Sequence, residues 1–173
     1  GIQATQMIRN EKDIPIIMLS AKSEDYDKII GLNIGADDYV TKPFNPMELV
    51  ARVKSQLRRY TQFGNANGSS EEGIYRVGGL TVDDNSKKVT IDGRSVMLTA
   101  TEFGILKLLA QSPGRVFSME QIYESVWDEP AYNPENTVAV HIRHIREKIE
   151  INPKDPRYIK VVWGTGYKLE GDN

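Results

Sequence analysis

NTVAVHIRHIREKIE, residues 136–150, pairs one apolar helical face with another rich in arginine and histidine. Val138, Ile142, Ile145 and Ile149 recur at spacings of 4, 3 and 4, which at about 100° per residue makes one narrow buried stripe. Val140, Arg143, His144 and Glu147 stand roughly opposite, with Arg146 on the flank. Alone, the segment fits either a surface helix whose charges face water or a helix held against something acidic. Its neighbours decide between the two.

Upstream, Thr99-Ala100-Thr101-Glu102 has the form of a capping box and opens a helix through Phe103, Leu106 and Ala110 that stops near Ser112-Pro113-Gly114. Ser118-Met119-Glu120-Gln121 repeats the signature and opens a second helix containing Ile122 and Val126. A loop from Asp128 to Glu135, with two prolines, leads to Asn136 as a plausible N-cap. Beyond Asn152-Pro153, RYIKVVWGTGYKLEG reads as a hairpin around Gly164-Thr165-Gly166. Three helices and a hairpin are the order of a winged helix-turn-helix. Physically, the major groove, about 12 Å wide, admits one α-helix, the two earlier helices brace it, and the hairpin reaches the adjacent backbone. Ahead of the helices, Ile74 to Leu98 is strand-like, and Asp92-Gly93 marks a tight hairpin because a type I′ turn needs positive φ at both central residues.

The first sixty residues alternate in another way. Weak helix signal over Gly1 to Asn10 precedes an apolar run, Ile14 to Leu19, of the kind expected for a strand buried on both faces. A helix over Ser23 to Ile34, a second strand at Asp38 to Val40, and a helix with Leu49, Val53 and Leu57 on one face complete an α/β pattern. TQFGNANGSSEEG, residues 61–73, has no periodicity and is expected to be a flexible linker between residues 1–60 and 74–173.

Composition fits this division. No cysteine means no disulfide framework and no thiolate nucleophile, and two histidines cannot form a four-ligand zinc site by themselves. No apolar run is long enough to span a bilayer and no signal-peptide pattern opens the chain, so the cytoplasm is the expected location and no membrane partner is expected. The net charge of −2 hides an asymmetry: residues 136–168 carry an excess of four positive charges, whereas residues 71–135 hold eleven acids against six bases. A basic C-terminal third suits a polyanion. No nucleophile–base pair, metal cluster or phosphate-cradling glycine loop is visible, so an enzyme is the weakest class.

The chain resembles the OmpR/PhoB class of two-component response regulators over nearly its whole length. LTATEFGILKLLAQSPGRVFSMEQIYESVW, NTVAVHIRHIREKIE and VVWGTGYKLEG match the effector domain in order and spacing, and IIMLSAKSEDYDKIIGLNIGADDYVTKPFNPMELVARVKSQLRR matches the last part of a receiver. The resemblance implies an α/β partial receiver, the C-terminal part of a doubly wound five-stranded flavodoxin-like sheet, joined to a winged helix. It implies a transcriptional regulator of a phosphorelay. Ser20 and Lys42 fall where receivers contact the phosphoryl group, Pro43 resembles a cis-proline that aims the lysine, and Tyr39 matches the switch aromatic. The phosphoacceptor aspartate and magnesium ligands would lie ahead of Gly1, so the chain is expected to lack them and to need no cofactor as it stands. A histidine kinase would be a partner only of the intact receiver.

The resemblance further implies a dimerisation face of Lys28, Asp37, Asp38, Arg52 and Arg59. Across a two-fold axis Asp38 would pair with Arg52, Asp37 with Arg59 or a neighbour, and Lys28 would meet Asn33. DNA contacts fall on Asn136, Thr137, Val140, Arg143, His144, Arg146, Lys160, Trp163 and Lys168. Val140 would touch a thymine methyl, His144 stands at a base-reading position, and Trp163 is expected to pack at the base of the wing. The 128–135 loop resembles the segment that engages RNA polymerase. A half receiver exposes a sheet edge, so this half is expected to self-associate, as a homodimer or strand-exchanged oligomer, or to fold poorly. The competing expectation is an interaction fragment that pairs with intact regulators through the dimerisation face.

Overall fold

A computed structural model describes residues 1–64, 71–131 and 133–171. The N-terminal half runs α1 (Ile2–Glu11), β1 (Ile17–Ser20), α2 (Asp25–Asn33), β2 (Asp38–Thr41) and α3 (Pro46–Gly64). β1 and β2 pair in parallel with Ile17 opposite Asp38 and Ser20 opposite Thr41. β1 begins three residues later than the apolar run, because Pro15 removes a donor and Ile14 is exposed. None of its residues is buried, against the expectation of cover on both faces: Leu19 is 40% exposed. The carbonyls of Ile16 and Ser20 accept from β2-side amides, so the alternate groups of β1 face an open edge. The half meets the other half of the chain through α2, which packs on α6, and α3, which packs on α4.

α3 continues to Gly64, so residues 61–64 are helix rather than linker, and residues 65–70 lie outside the described residues. Its polar face, Arg52, Ser55, Gln56 and Arg59, turns toward the C-terminal half. Its apolar stripe is left outside, with Val53 40% and Leu57 52% exposed.

The C-terminal half opens with a meander in spatial order β3 (Ile74–Val77), β4 (Leu80–Asp83), β5 (Lys88–Ile91), β6 (Arg94–Val96), all antiparallel. Asp92 and Gly93 have φ of 49° and 81°, the two positive values that the tight turn needs. Then come α4 (Ala100–Ala110), α5 (Met119–Trp127), α6 (Glu135–Ile149) and the wing, β7 (Ile159–Val162) with β8 (Gly166–Leu169). Both capping boxes form: the Thr99 and Ser118 hydroxyls accept from the amides of Glu102 and Gln121, whose side chains bond back. Ser118→Ala is expected to remove about 1 kcal/mol of stability, visible as a lower urea midpoint; an unchanged midpoint would refute the cap.

α6 starts at Glu135, not after Asn136, because the Pro134 carbonyl already accepts from the Val138 amide at 2.9 Å. The core lies under the three helices, where Leu106, Ile122, Trp127, Val138, Ile142, Ile145 and Ile159 are at most 1% exposed. The wing is sewn to the α4–α5 connection by paired Phe117 and Tyr167 backbones. Only glycine fits at Gly166, since a Cβ there would lie 1.9 Å from the Phe117 carbonyl oxygen.

Candidate nucleic-acid interface

α6 is fixed by its stripe and by three polar anchors. Lys148 Nζ lies 2.6 Å from a Glu102 carboxylate oxygen that also accepts from the Thr99 amide, so one carboxylate joins the α4 cap to α6. Just past the helix end, the Glu150 carboxylate accepts from the amides of Arg157, Tyr158 and Ile159 at 2.7, 2.9 and 3.0 Å. Arg146 donates to the Ile159 carbonyl, at 2.8 Å from Nη2, and lies over the Tyr167 ring; burial lowers its pKa. The end of α6 is therefore tied to both strands of the wing, with Arg146 spanning the two. The Glu150 anchor is absent from the sequence reading. Its signal was an acid at a helix C-terminus, where the dipole disfavours one unless it has donors of its own.

The outward face divides in two. Arg143 is exposed beside Glu147 at 3.4 Å, His144 is half-buried, and Asn136 and Thr137 are half-buried near the helix start. Val140, expected to be outward, is 7% exposed, and His141 is 2% exposed with Nδ1 2.8 Å from the Thr137 carbonyl. The cover is α2, which packs along α6. On the wing, Lys160 reaches the Pro156 carbonyl and Lys168 pairs with Glu170. Trp163 does not pack at the wing base: beside the Gly164 turn its indole is 89% exposed.

The seam between the halves is polar. Arg59 Nη1 donates to the Val126 carbonyl at 2.6 Å, with its guanidinium 5.7 Å from the Trp127 ring centroid. The Ser55 hydroxyl donates to the Trp127 carbonyl at 2.6 Å, and Arg58 pairs with Asp128 at 2.6 Å. Arg52 lies 2.8 Å from Asp38, 3.3 Å from the Tyr123 hydroxyl and 3.6 Å from Glu129. Burial disfavours the Arg52 charge, but Asp38 and its neighbours outweigh that and raise its pKa; burial raises Tyr123 and Glu129 and lowers Arg59. Asp37 pairs with Arg9 at 2.8 Å and accepts from the Ile16 amide, while Lys28 lies 3.9 Å from Asp25 one turn before it. Asp37, Asp38, Arg52 and Arg59 are thus all engaged within the chain. Asn33 Oδ1, Gln56 Nε2, Arg59 Nε and Trp127 Nε1 are buried without hydrogen-bond partners. An orphaned buried polar group costs about 1–3 kcal/mol, so each of these atoms offsets part of what the surrounding contacts contribute.

At the carboxyl ends of β1 and β2, a cavity of about 470 Å³ is lined by residues including Ser20, Lys22, Asp27 and Tyr39. The Ser20 hydroxyl accepts from the Lys22 amide, and the Tyr39 hydroxyl donates to the Lys22 carbonyl while its ring packs on Gly31. Lys42 is exposed, and the Lys42–Pro43 peptide is cis. Among the described residues no three histidine or carboxylate groups converge, and Asp37 and Asp38 are spoken for by arginines.

Residues 1–54 match the response regulator receiver domain, and residues 93–169 match the C-terminal domain of transcriptional regulatory proteins. The regulatory protein VanRc of Enterococcus gallinarum is 48% identical over 170 residues, covering 98% of this chain and 74% of the relative. The crystal structure of the Thermotoga maritima response regulator DrrB, an OmpR/PhoB homologue, matches at 37% identity and a TM-score of 0.53 over 98% of this chain and 73% of that one. The chain belongs to the OmpR/PhoB family of response regulators. A DNA-binding domain of this type, RstA of Klebsiella pneumoniae, solved in complex with the RstA box, is 26% identical with a TM-score of 0.53, over 56% of this chain and 96% of that one. The response regulator is thus a receiver-like α/β unit followed by a winged DNA-binding domain that regulates transcription. No helix among its described residues is long and apolar enough to cross a membrane.

Proposed function

We propose that this response regulator reads double-stranded DNA with α6 and the wing, and that its receiver half masks part of the reading face until it undocks. The burial of Val140 and His141 under α2 carries this reading. In the undocked chain Val140 contacts a thymine methyl, His144 and Arg143 face base edges and phosphates, and Asn136 and Thr137 donate to phosphate at the helix start. Lys160, Lys168 and Trp163 serve the wing. Arg146 keeps its anchoring bond and contributes its remaining N–H groups to the backbone.

His144→Ala is expected to change sequence preference, by about 1–3 kcal/mol at the base pairs it faces. Lys160→Ala is expected to weaken all sequences alike and reduce the salt slope by about one. Salt-titrated binding to random duplexes measures both. Equal losses on every sequence for the two variants would refute this division of labour.

A second reading has its own observation. The exposed Val50, Val53 and Leu57 stripe on α3 and the open edge of β1 are surfaces that pair with another polypeptide. They support a homodimer or strand-exchanged oligomer, including pairing with an intact regulator. The face of Asp38, Arg52 and Arg59 becomes available for such pairing only after undocking, since it is committed within the chain. RNA polymerase would meet the 128–135 loop under the same condition, because Asp128 and Glu129 face Arg58 and Arg52. Light scattering at micromolar concentration tests this reading: a strict monomer would exclude it.

A further inference from the structure

At the seam, the loop after α2 and the outer face of α6 enclose a cavity of about 190 Å³ lined by residues including Asn33, Asp37, Glu102, His141, His144 and Lys148. His141 and His144 are 6.3 Å apart, and the His141 ring stands edge-on to Trp127 at 5.3 Å. Three carboxylates reach this place, and each already has a cation. Asp37 is paired with Arg9 of α1, Glu102 of α4 with Lys148, and Glu147 with Arg143. His141 holds the Thr137 carbonyl through Nδ1. An imidazolium at His144 would therefore sit beside Arg143, Lys148 and Arg9 with no carboxylate left to itself.

We propose that this seam is a proton-labile latch, closed while His144 is neutral and opened by its protonation, which frees the reading face of α6. Burial, then the neighbouring His141, lowers the His144 pKa in the closed chain, with Glu102 and Glu147 offsetting part of this. A group so depressed supports closure above its ordinary pKa of about 6.5, and that support fades as pH falls through and below that value. Each pH unit in this interval weakens closure by up to about tenfold. Asp37, which burial raises, opposes opening, since it takes up its own proton more readily when covered. The opening step stands on the seam geometry alone, and only its consequence for DNA rests on the proposed function.

The full chain has no cysteine, so Asp13→Cys with Ile151→Cys supplies two exposed dye positions, one on each half. Energy transfer without DNA is expected to fall reversibly from pH 8 to pH 5.5, with far-UV circular dichroism unchanged. In His144→Gln the pH response is expected to flatten, and His144→Arg is expected to be open already at pH 8. A flat profile in the parent, or an identical profile in His144→Gln, overturns the latch. Binding to mixed-sequence duplexes, measured in parallel, is expected to strengthen with opening. No binding at any pH would overturn the DNA reading while leaving the energy-transfer result to decide the latch.

Discussion

Arg59→Ala is expected to tighten DNA binding about thirty-fold at pH 8, although Arg59 lies in the receiver half and is a cation. In the closed chain its guanidinium holds the Val126 carbonyl and lies against Trp127. A hydrogen bond from a charged donor contributes about 1.5–3 kcal/mol and a cation–π contact about 0.5–1 kcal/mol. Burial of the charge offsets part of this, as the lowered pKa shows. A net loss of about 2 kcal/mol of docking free energy converts to that factor in apparent affinity, provided the closed form predominates. Fluorescence anisotropy with a mixed duplex measures it. Weaker binding, as simple charge loss near DNA would give, would falsify the masking seam.

Glu150→Ala acts on the other side of the interface and is expected to destabilise the winged domain by about 3 kcal/mol. Three backbone amides, those of Arg157, Tyr158 and Ile159, converge on this carboxylate, and Tyr158 and Ile159 are almost fully buried. Removing the acceptor leaves these donors with nothing that water can readily replace. It also frees the wing from the end of α6. Glu150→Gln keeps one acceptor oxygen and should retain part of the loss. Urea denaturation followed by circular dichroism gives the comparison, and a change below about 1 kcal/mol for alanine would show that the anchor is incidental.

His144 deserves comparison with Arg59, because both act where the halves meet and the two variants separate two effects. Arg59→Ala should shift the balance toward the open form by the same factor at every pH, whereas a change at His144 should alter how opening depends on pH. Binding that strengthened in acid equally for the parent and for His144→Gln would point to other titrating groups.

Local signals made the winged domain legible. The two capping boxes, the Asp92-Gly93 turn and the 4, 3, 4 stripe of α6 each depend on residues a few positions apart, and each appears where expected. The boundaries were less legible: Pro134 rather than Asn136 caps α6 and α3 runs on to Gly64, because a proline cap and a continuing helix leave weak marks in composition. The engaged state of Asp37, Asp38, Arg52 and Arg59 was not legible, nor was the Glu150 anchor.

The sequence by itself determined the order of elements, the α/β then winged-helix architecture and the family, since these follow from periodicity, turn chemistry and matched segments. Only the tertiary structure decided which faces are covered. Periodicity tells which side of a helix is apolar but not what lies against it. So α3 docks by Arg52, Ser55 and Arg59 while Val53 and Leu57 face outward, and Val140 is buried although it stands opposite the core stripe. The contacts that set this join residues about seventy positions apart, beyond the reach of any local pattern.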